Sequence, residues 1–222
     1  MAIPSTNQSF RQGDFTGFHP MGRCMVVENF SFTNPETGQT EIIRPFGRGK
    51  CFALLDDPTL VDDDGARLPS SGIIPVPADT SAYQFDDDFS GQTTFGIDGA
   101  ILEVTDVSIP RGKKLIFRSR FLPFDSSAAG MNDFALFDTY EGNQATPDTL
   151  QHREILGQAN DGFAANGHGK WEKHTWAPAS DFNGVLRWVV SNGTTQNPPV
   201  ISNTTRARPS ALLIDIIKIV SA

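Results

Sequence analysis

Alternation of apolar and polar side chains along short segments is the feature that most limits what this chain can fold into. The segment K-K-L-I-F-R-S-R-F (113–121) carries Leu115, Phe117 and Phe121 at alternate positions and Lys114, Arg118 and Arg120 between them. Successive side chains of a strand point to opposite faces. The segment therefore predicts a strand with one face on a core and the other in water.

Comparable short apolar segments recur along the chain and are separated by Gly, Pro, Asn and Asp. They predict strands over 24–32, 40–46, 49–56, 100–109, 132–140, 169–176, 184–190 and 211–220. Seventeen Phe, 20 Gly and 15 Pro suit a β-structure rich in turns. Roughly ten short strands joined by polar turns indicate an all-β fold, a two-sheet antiparallel β-sandwich of the jelly-roll type with long end loops.

The domain organisation follows from where the strand pattern begins and where it is interrupted. Residues 1–20 are polar and read as an N-terminal arm or an edge strand, and residues 21–222 as a single β-sandwich domain. Two polar stretches, 56–82 and 191–209, predict long loops. The segment T-P-D-T-L-Q-H-R-E-I-L-G suits a short helix with Thr146 as its N-cap, or a strand.

Charge and hydropathy exclude some classes of partner. The net charge of −8 repels a phosphate backbone, so nucleic acid is not expected as a partner. No apolar run is long enough for a membrane span, and the N-terminus lacks the pattern of a signal peptide. Three explanations are open. The protein is cytoplasmic, it is exported without a cleaved signal peptide, or the sequence starts after the cleavage site of one.

Cys24 and Cys51 each lie in a short apolar segment. A disulfide between neighbouring strands and two buried free thiols are both compatible with that placement. Neither cysteine stands in a CxxC pair, so the sequence does not support a zinc or redox motif.

Asp215 is the one charge inside the apolar run A-L-L-I-D-I-I, where both strand faces are apolar. Such a carboxylate needs partners, either backbone N–H groups of a neighbouring loop or a hard cation such as Ca²⁺. Because the first and last strands of a jelly roll are often neighbours, Glu28 is the first candidate co-ligand. Asp133 is the second.

Aromatic side chains are the candidates for sugar contacts. Trp188 alternates with Leu186 and Val190 and is expected in the core. Trp171 and Trp176 are an odd number of positions apart, which places them on opposite faces of a strand.

The predicted ligand-binding residues are Trp176, the neighbouring His174 on the same face, and Asp63 and Asp64 in the 56–82 loop. The sequence contains no G-x-S-x-G, H-E-x-x-H, P-loop or G-x-G-x-x-G motif, so we expect no catalysis.

The order of segments also carries a resemblance. T-T-F-G-I-D-G-A-I-L-E-V, K-K-L-I-F-R-S-R-F-L-P-F, N-D-F-A-L-F-D, W-E-K-H-T-W, V-L-R-W-V-V-S-N and S-A-L-L-I-D-I-I-K-I-V follow one another over residues 93–220. This series resembles bacterial extracellular β-sandwich domains found next to cell-surface anchor signals, and it is similar to jelly-roll carbohydrate-binding modules. The resemblance implies a β-sandwich with a structural Ca²⁺ and an extracellular or cell-surface location; it does not imply a particular ligand.

The sequence is compatible with three classes of function. The first is a non-catalytic, lectin-like binding module for a glycan or a surface polymer, binding through its end loops. The second is a structural subunit of a particle, filament or matrix, with the N-terminal arm serving self-association. The third is a glycan-active hydrolase, whose carboxylate pair the sequence does not single out.

Overall fold

The computed structural model describes residues 7–34, 36–47, 49–56, 78–87, 91–123, 132–161, 170–195 and 210–222. These residues form fourteen strands and two short 3-10 helices, Pro147–Thr149 and Ala159–Asp161. The strands are β1 (His19–Met21), β2 (Arg23–Val27), β3 (Phe30–Thr33), β4 (Thr40–Ile43), β5 (Phe52–Asp56), β6 (Ala78–Asp79), β7 (Gln84–Asp87), β8 (Gln92–Ile109), β9 (Lys113–Leu122), β10 (Phe134–Glu141), β11 (Leu150–Gln158), β12 (Glu172–Trp176), β13 (Phe182–Thr194) and β14 (Ala211–Ser221).

Two antiparallel sheets make up the sandwich. The seven-stranded sheet has the order β1-β8-β13-β10-β11, and β6 and β7 also pair with β8. The five-stranded sheet has the order β12-β9-β14-β5-β2, and β3 and β4 form a separate hairpin. Consecutive strands often lie in different sheets, as in Greek-key sandwiches. The structure confirms the predicted all-β antiparallel sandwich.

The main core fills the space between the two sheets. It contains alternate residues of the long strands, such as Leu102, Phe117, Leu186, Trp188 and Ile214, and all five are buried. Full burial of a large apolar side chain contributes about 1.5–3 kcal/mol, so this layer supplies most of the driving force for folding. Trp188 is a core residue, as predicted from its alternation with Leu186 and Val190.

Both sheets also carry apolar residues on their outer faces. One cluster, with Phe52, Leu54 and Leu213, lies on the five-stranded sheet under the β3–β4 hairpin. A second cluster, with Phe134 and Leu136, lies on the seven-stranded sheet beside β7. Burial on both faces explains why the strand sequences are nearly continuous apolar runs rather than strictly alternating ones.

The prediction that the polar side chains of β9 face water is wrong for Arg120. Leu115, Phe117 and Phe121 are buried as expected, but Arg120 is buried too. Its Nη2 lies 3.7 Å from Glu41 Oε2, because the β3–β4 hairpin folds over this part of the sheet. A local alternation pattern cannot show that a hairpin distant in sequence covers the polar face.

Most predicted strands are present with shifted ends. The predicted 24–32 strand is two strands, β2 and β3, and the predicted 100–109 strand starts eight residues earlier as β8. The segment after Thr146 contains both open alternatives, since a 3-10 turn leads directly into β11. Residues 57–77 and 196–209, which make up most of the two predicted long loops, lie outside the described residues.

The N-terminal segment closes one end of the sandwich. Phe10 and Phe18 are buried in the main core, and Phe15 packs against it. The backbone N–H of Ile217 donates to the carbonyl of Gln8 over 2.8 Å. Residues 7–18 are therefore held by both apolar contacts and a backbone hydrogen bond, and β1 then pairs with β8 at the edge of its sheet.

Cys24 and Cys51 are both free thiols. Cys24 lies opposite Leu55 in the β2–β5 ladder. Leu55 is four residues from Cys51 along the chain. Four residues of extended chain span about 13 Å, beyond the distance that a disulfide can bridge. Of the two alternatives that the sequence left open, the structure contains the free thiols.

No helix among the described residues is long and apolar enough to cross a membrane.

Candidate functional site

Four strand-centre charges line up across the outer face of the seven-stranded sheet. Glu103 on β8 lies opposite Arg187 on β13, Arg187 lies opposite Asp138 on β10, and Asp138 lies opposite Arg153 on β11. The side chains therefore form a row of alternating sign across four neighbouring strands, which we call the charge row. Opposite charges at directly paired positions are stabilising.

Hydrogen bonds hold each arginine of the charge row to a carboxylate. Arg153 Nε donates to Asp138 Oδ1 over 2.9 Å, and its Nη2 donates to Oδ2 over 2.6 Å. Arg187 Nε donates to Glu103 Oε2 over 2.7 Å. The Asp138 side chain is 0% exposed, whereas the two arginine side chains keep about a fifth of their surface exposed, at 22% and 20%. Carboxylates of the same sheet thus hold both arginine side chains in place, and part of each side chain stays accessible to solvent.

Two tyrosines complete the network. Arg187 Nη1 donates to the Tyr83 hydroxyl over 2.8 Å, and the Tyr140 hydroxyl donates to Asp138 Oδ2 over 2.7 Å. The Arg153 guanidinium lies 5.7 Å from the Tyr83 ring and that of Arg187 lies 5.6 Å from the Tyr140 ring. A guanidinium group therefore lies over the ring of each tyrosine.

Burial and ion pairing keep the two tyrosines and the two arginines protonated near neutral pH. Burial raises the pKa of Tyr83 and of Tyr140, so both phenols stay protonated. Burial alone would lower the pKa of Arg153, but the hydrogen bonds and charge of Asp138 outweigh it and raise that pKa. The network therefore presents arginine donors at every physiological pH.

A pocket of about 280 Å³ lies over the charge row. The sheet contributes Tyr140, Arg153 and Arg187 to its lining. The turn between β6 and β7 contributes Ala82 and Tyr83, and the start of β7 contributes Gln84. The segment around the first 3-10 helix contributes Ala145, Pro147 and Leu150. The pocket thus combines an arginine and tyrosine floor with small apolar walls.

Hydrogen bonds fix both walls. The backbone N–H of Tyr83 donates to the Thr80 carbonyl over 2.9 Å, and the Tyr83 carbonyl accepts from Gly96 N–H over 2.8 Å. On the other side, Thr149 Oγ1 donates to the Gln144 carbonyl over 2.8 Å and closes the 3-10 turn. The pocket is pre-formed, which reduces the entropy lost on binding.

His174 and Trp176, predicted to bind ligand, lie elsewhere. His174 on β12 is buried and faces the inner side of the sandwich, with its ring stacked 4.8 Å from that of Phe117. Its Nε2 lies 2.8 Å from Ser119 Oγ and its Nδ1 lies 2.7 Å from Glu154 Oε1. The pair His174 and Glu154 therefore joins the edge strands of the two sheets, β12 and β11.

Trp176 lies on the same inner side, half-buried, with its ring 5.9 Å from His152 and 4.9 Å from Phe182. Trp171 packs against Phe52 on the outer side of the five-stranded sheet. The prediction that Trp171 and Trp176 lie on opposite faces is confirmed. Neither His174 nor Trp176 lines the pocket over the charge row, and their ligand-binding role stays a prediction.

Asp63 and Asp64, the other predicted ligand-binding residues, lie outside the described residues.

Of the two environments predicted for Asp215, the structure contains the first, the backbone N–H groups of a neighbouring loop. Its carboxylate accepts the backbone N–H of Phe46 over 2.8 Å and that of Ile216 over 2.7 Å. The side chain is 0% exposed, and burial raises its pKa to about 6 although the two N–H groups oppose the shift. The carboxylate thus ties the loop after β4 to a bulge in β14, where Ile216 has a φ of 52°.

The three predicted calcium ligands do not form one cluster among the described residues. Glu28 is exposed between β2 and β3. Asp133 is buried beside the start of β14, where it accepts the hydroxyl of Ser210, a residue that is five positions from Asp215, over 2.7 Å. Within the described ranges, no group of three or more His, Cys, Asp or Glu side chains is placed to hold a metal ion. Calcium binding stays a prediction from the sequence.

The charge row was not predicted, but the sequence carries a signal for it. Three of its four members are charges at the centre of an apolar strand, as in A-I-L-E-V, V-L-R-W-V and A-L-F-D-T, whereas Arg153 lies in the polar segment Q-H-R-E. The same argument that singled out Asp215 applies to Glu103, Arg187 and Asp138. What the sequence lacks is the strand order that brings them into register.

Comparisons with known proteins give structural similarity at low sequence identity. No protein-family model matches the chain, and no curated protein matches it. Among solved structures, the chain is similar to TmCBM61 in complex with β-1,4-galactotriose, with 13% identity, a TM-score of 0.41, and coverage of 100% of this chain and 99% of that one.

Two further solved structures show the same degree of similarity. The K1 cleaved adhesin domain of Lys-gingipain from Porphyromonas gingivalis W83 has 10% identity, a TM-score of 0.40 and 96% coverage of both chains. The CBM22-1 xylan-binding domain from Paenibacillus barcinonensis Xyn10C has 14% identity, a TM-score of 0.36, and coverage of 95% and 89%. Similarity at this level identifies no ligand.

Proposed function

We propose that this protein is a non-catalytic binding module that takes a carbohydrate group into the pocket over the charge row. The observation that carries the proposal is the position of Arg187. Its Nε and Nη1 are used within the protein, and no hydrogen bond among the described residues uses Nη2. A guanidinium has five N–H donors, so Arg187 keeps donors for a ligand oxygen in a pre-formed pocket.

The pocket suits sugar in size and in chemistry. Its volume of about 280 Å³ is at the low end for small-molecule pockets, which fits one sugar unit with its substituents. Charge-assisted bonds from arginine to ligand oxygens are roughly twice as strong as neutral ones. Apolar walls at Ala145, Pro147 and Leu150 can contact the C–H face of a sugar ring.

The carboxylates of the charge row support binding rather than catalysis. A glycoside hydrolase needs one carboxylic acid and one carboxylate that are free to exchange protons or to attack. Asp138 is buried and accepts three hydrogen bonds, two from Arg153 and one from Tyr140. Glu103 is bonded to Arg187. Neither carboxylate is available for acid–base work.

Ser119, His174 and Glu154 have the order of a nucleophile, a base and an orienting carboxylate. Ser119 is only 1% exposed and lies between the sheets on the inner face of β9. A substrate carbonyl cannot reach this hydroxyl in the folded protein. We assign the array to holding the two sheets together at their edges.

A glycan array with three proteins tests the proposal. Ala145→Phe fills the pocket from its wall and leaves the residues of the charge row unchanged, and Ala179→Phe adds the same ring at an exposed position after β12. We expect the wild-type protein and Ala179→Phe to bind the same glycans and Ala145→Phe to lose them. Equal binding by all three proteins would place the glycan site elsewhere. Absence of binding, together with large closed assemblies in solution, would favour a structural subunit.

The proposed ligand, a glycan or a surface polymer, also supports an extracellular or cell-surface role for the module.

A further inference from the structure

Building on the proposed function, we infer that the pocket recognises an acetyl-substituted sugar. The acetyl carbonyl oxygen accepts from Arg187, and the acetyl methyl group packs against the apolar wall of Ala145, Pro147 and Leu150. The inference rests on three properties of the lining, which are its donors, its charge and its apolar side.

The fixed polar groups of the lining offer donors and few free acceptors. Both oxygens of Asp138 are used, and the Tyr83 hydroxyl already accepts from Arg187. The Gln84 backbone carbonyl accepts Arg153 Nη1 over 2.6 Å, and the Gln84 side chain is exposed. A sugar hydroxyl must donate as well as accept, and a buried donor without a partner is unfavourable. The carbonyl oxygen of an acetyl ester only accepts and therefore matches these donors, whereas an acetamido group also brings one N–H donor, which the exposed Gln84 side-chain oxygen can accept.

The charge of the site disfavours an acidic sugar. The two arginines of the charge row are balanced by Glu103 and Asp138, so the row has no net charge to offer a carboxylate. Two residues that follow lining residues in the chain are acidic and exposed: Glu141 follows Tyr140, and Asp148 follows Pro147. The whole chain carries a net charge of −8. An added anion would be repelled, whereas a neutral acetyl group would not.

The apolar side of the pocket is suited to a methyl group. Ala145 and Leu150 are half-buried beside Pro147, and Ala82 lies on the facing wall. These side chains are apolar, and hydrogen bonds within the 3-10 turn fix one wall. A methyl group attached to the carbonyl would therefore lose its contact with water at the place where the carbonyl meets Arg187.

Two matched ligand pairs test the inference by calorimetry. N-acetylated chitotriose is compared with cellotriose, which has hydroxyls in place of the acetamido groups, and acetylated xylan is compared with the same xylan after alkaline deacetylation. We expect the acetylated member of at least one pair to bind about tenfold tighter or more, as follows from one hydrogen bond to a charged donor. An oligogalacturonate is expected to bind no better than cellotriose.

Variants connect the preference to the pocket. Arg187→Lys keeps a cation beside Glu103 but removes Nη2, and it should reduce the acetyl preference by about tenfold. Arg111→Lys, at an exposed turn, is the matched control and should change nothing. Because Arg187→Lys can affect folding, Ala145→Phe gives a second route and should abolish binding of the acetylated ligand.

The outcomes separate this inference from the proposed function. Equal affinity for both members of each pair, with binding lost in Ala145→Phe, would overturn the acetyl inference and leave the glycan pocket standing. A preference for oligogalacturonate would overturn it in the same way. An acetyl preference that survives both Arg187→Lys and Ala145→Phe would also overturn it, because the preference would then arise outside the pocket. Binding of no carbohydrate at all would contradict the proposed function.

Discussion

Arg153 and Asp138 face each other directly across β11 and β10 and share two hydrogen bonds, at 2.9 and 2.6 Å. This bidentate pair sets the position of one guanidinium in the pocket floor, and Arg187 with Glu103 sets the other. The strand register thus determines where the arginine donors lie. A ligand meets side chains that are already oriented, which is the condition for tight binding in a small pocket.

Removing the buried carboxylate should be strongly destabilising. Asp138→Asn removes a fully buried charge and leaves Arg153 without its ion-pair partner. We therefore expect the free energy of unfolding to fall by about 3 kcal/mol. Urea denaturation of both proteins measures this loss. Glu172→Gln, on an exposed position of β12, serves as the control. A loss for Asp138→Asn as small as that of the control would show that the pair is solvated.

Stability should fall as the pH rises from about 4 through about 7. Burial raises the pKa of Asp56 to about 7, although the charge of Arg23 opposes the shift, and burial also raises that of Asp215 to about 6, each from an ordinary value of 3.8. The folded protein then holds protons that the unfolded chain has released. These two groups contribute stability that is complete below about pH 4 and lost as the pH passes their folded pKa values.

Melting temperatures between pH 4 and 8 measure this slope. Asp56→Asn and Asp215→Asn should each flatten part of it, Asp215→Asn up to about pH 6 and Asp56→Asn up to about pH 7. Glu154 acts in the opposite direction: burial raises its pKa, but hydrogen bonds from His152 and His174 outweigh burial and hold it at about 2. Its contribution is present above about pH 4.5 and lost towards pH 2, so Glu154→Gln should lower the melting temperature at every pH above about 4.5 and flatten the profile between about pH 4.5 and 2, in scans extended to pH 2. Identical profiles for the wild-type protein and the aspartate variants would rule this account out.

Both cysteines should label slowly in the folded protein and completely after unfolding, without any reductant. Burial raises the pKa of Cys24 to about 12, and burial also raises that of Cys51, so little reactive thiolate is present. A thiol reagent followed by mass spectrometry counts the labelled sites. Two labels in denaturant alone are expected; none until a reductant is added would mean that the cysteines are bridged.

Calcium binding, predicted from the sequence, is tested by melting with EDTA and then with added Ca²⁺. A bound ion stabilises the folded state by mass action, so a calcium site would raise the melting temperature by several degrees. If Asp215 is a ligand, the rise should be absent in Asp215→Asn and kept in the exposed control Asp148→Asn. A rise in both variants would place the ion at other residues, and no rise in the wild-type protein would leave Asp215 with its backbone hydrogen bonds alone.

The strands could be predicted because their signal is local. Leu115, Phe117 and Phe121 on β9 alternate in sequence and all face the core. Trp188 could be placed in the core for the same reason. The burial of Arg120 could not, because it depends on Glu41 and a hairpin about eighty residues away in sequence. Periodicity describes one strand at a time and not what lies on top of it.

The candidate site could be predicted only as separate charges. Glu103, Arg187, Asp138 and Arg153 come from four strands whose spatial order, β8-β13-β10-β11, is not the chain order. A shift of one residue in any of these strands would turn its charge to the inner face. Sequence reasoning favoured His174 and Trp176 instead, because aromatic residues are visible without knowledge of the register.

Chemical-shift mapping tests the central claim most directly. In ¹H–¹⁵N spectra recorded during titration with a glycan that the array identifies, we expect the largest shifts at the Nε–H groups of Arg153 and Arg187 and at the backbone amides of residues 82–84 and 145–150. Shifts confined to that pocket would support binding over the charge row. Shifts centred on His174 and Trp176, or on the segments 57–77 and 196–209, with the two arginine signals unchanged, would contradict it.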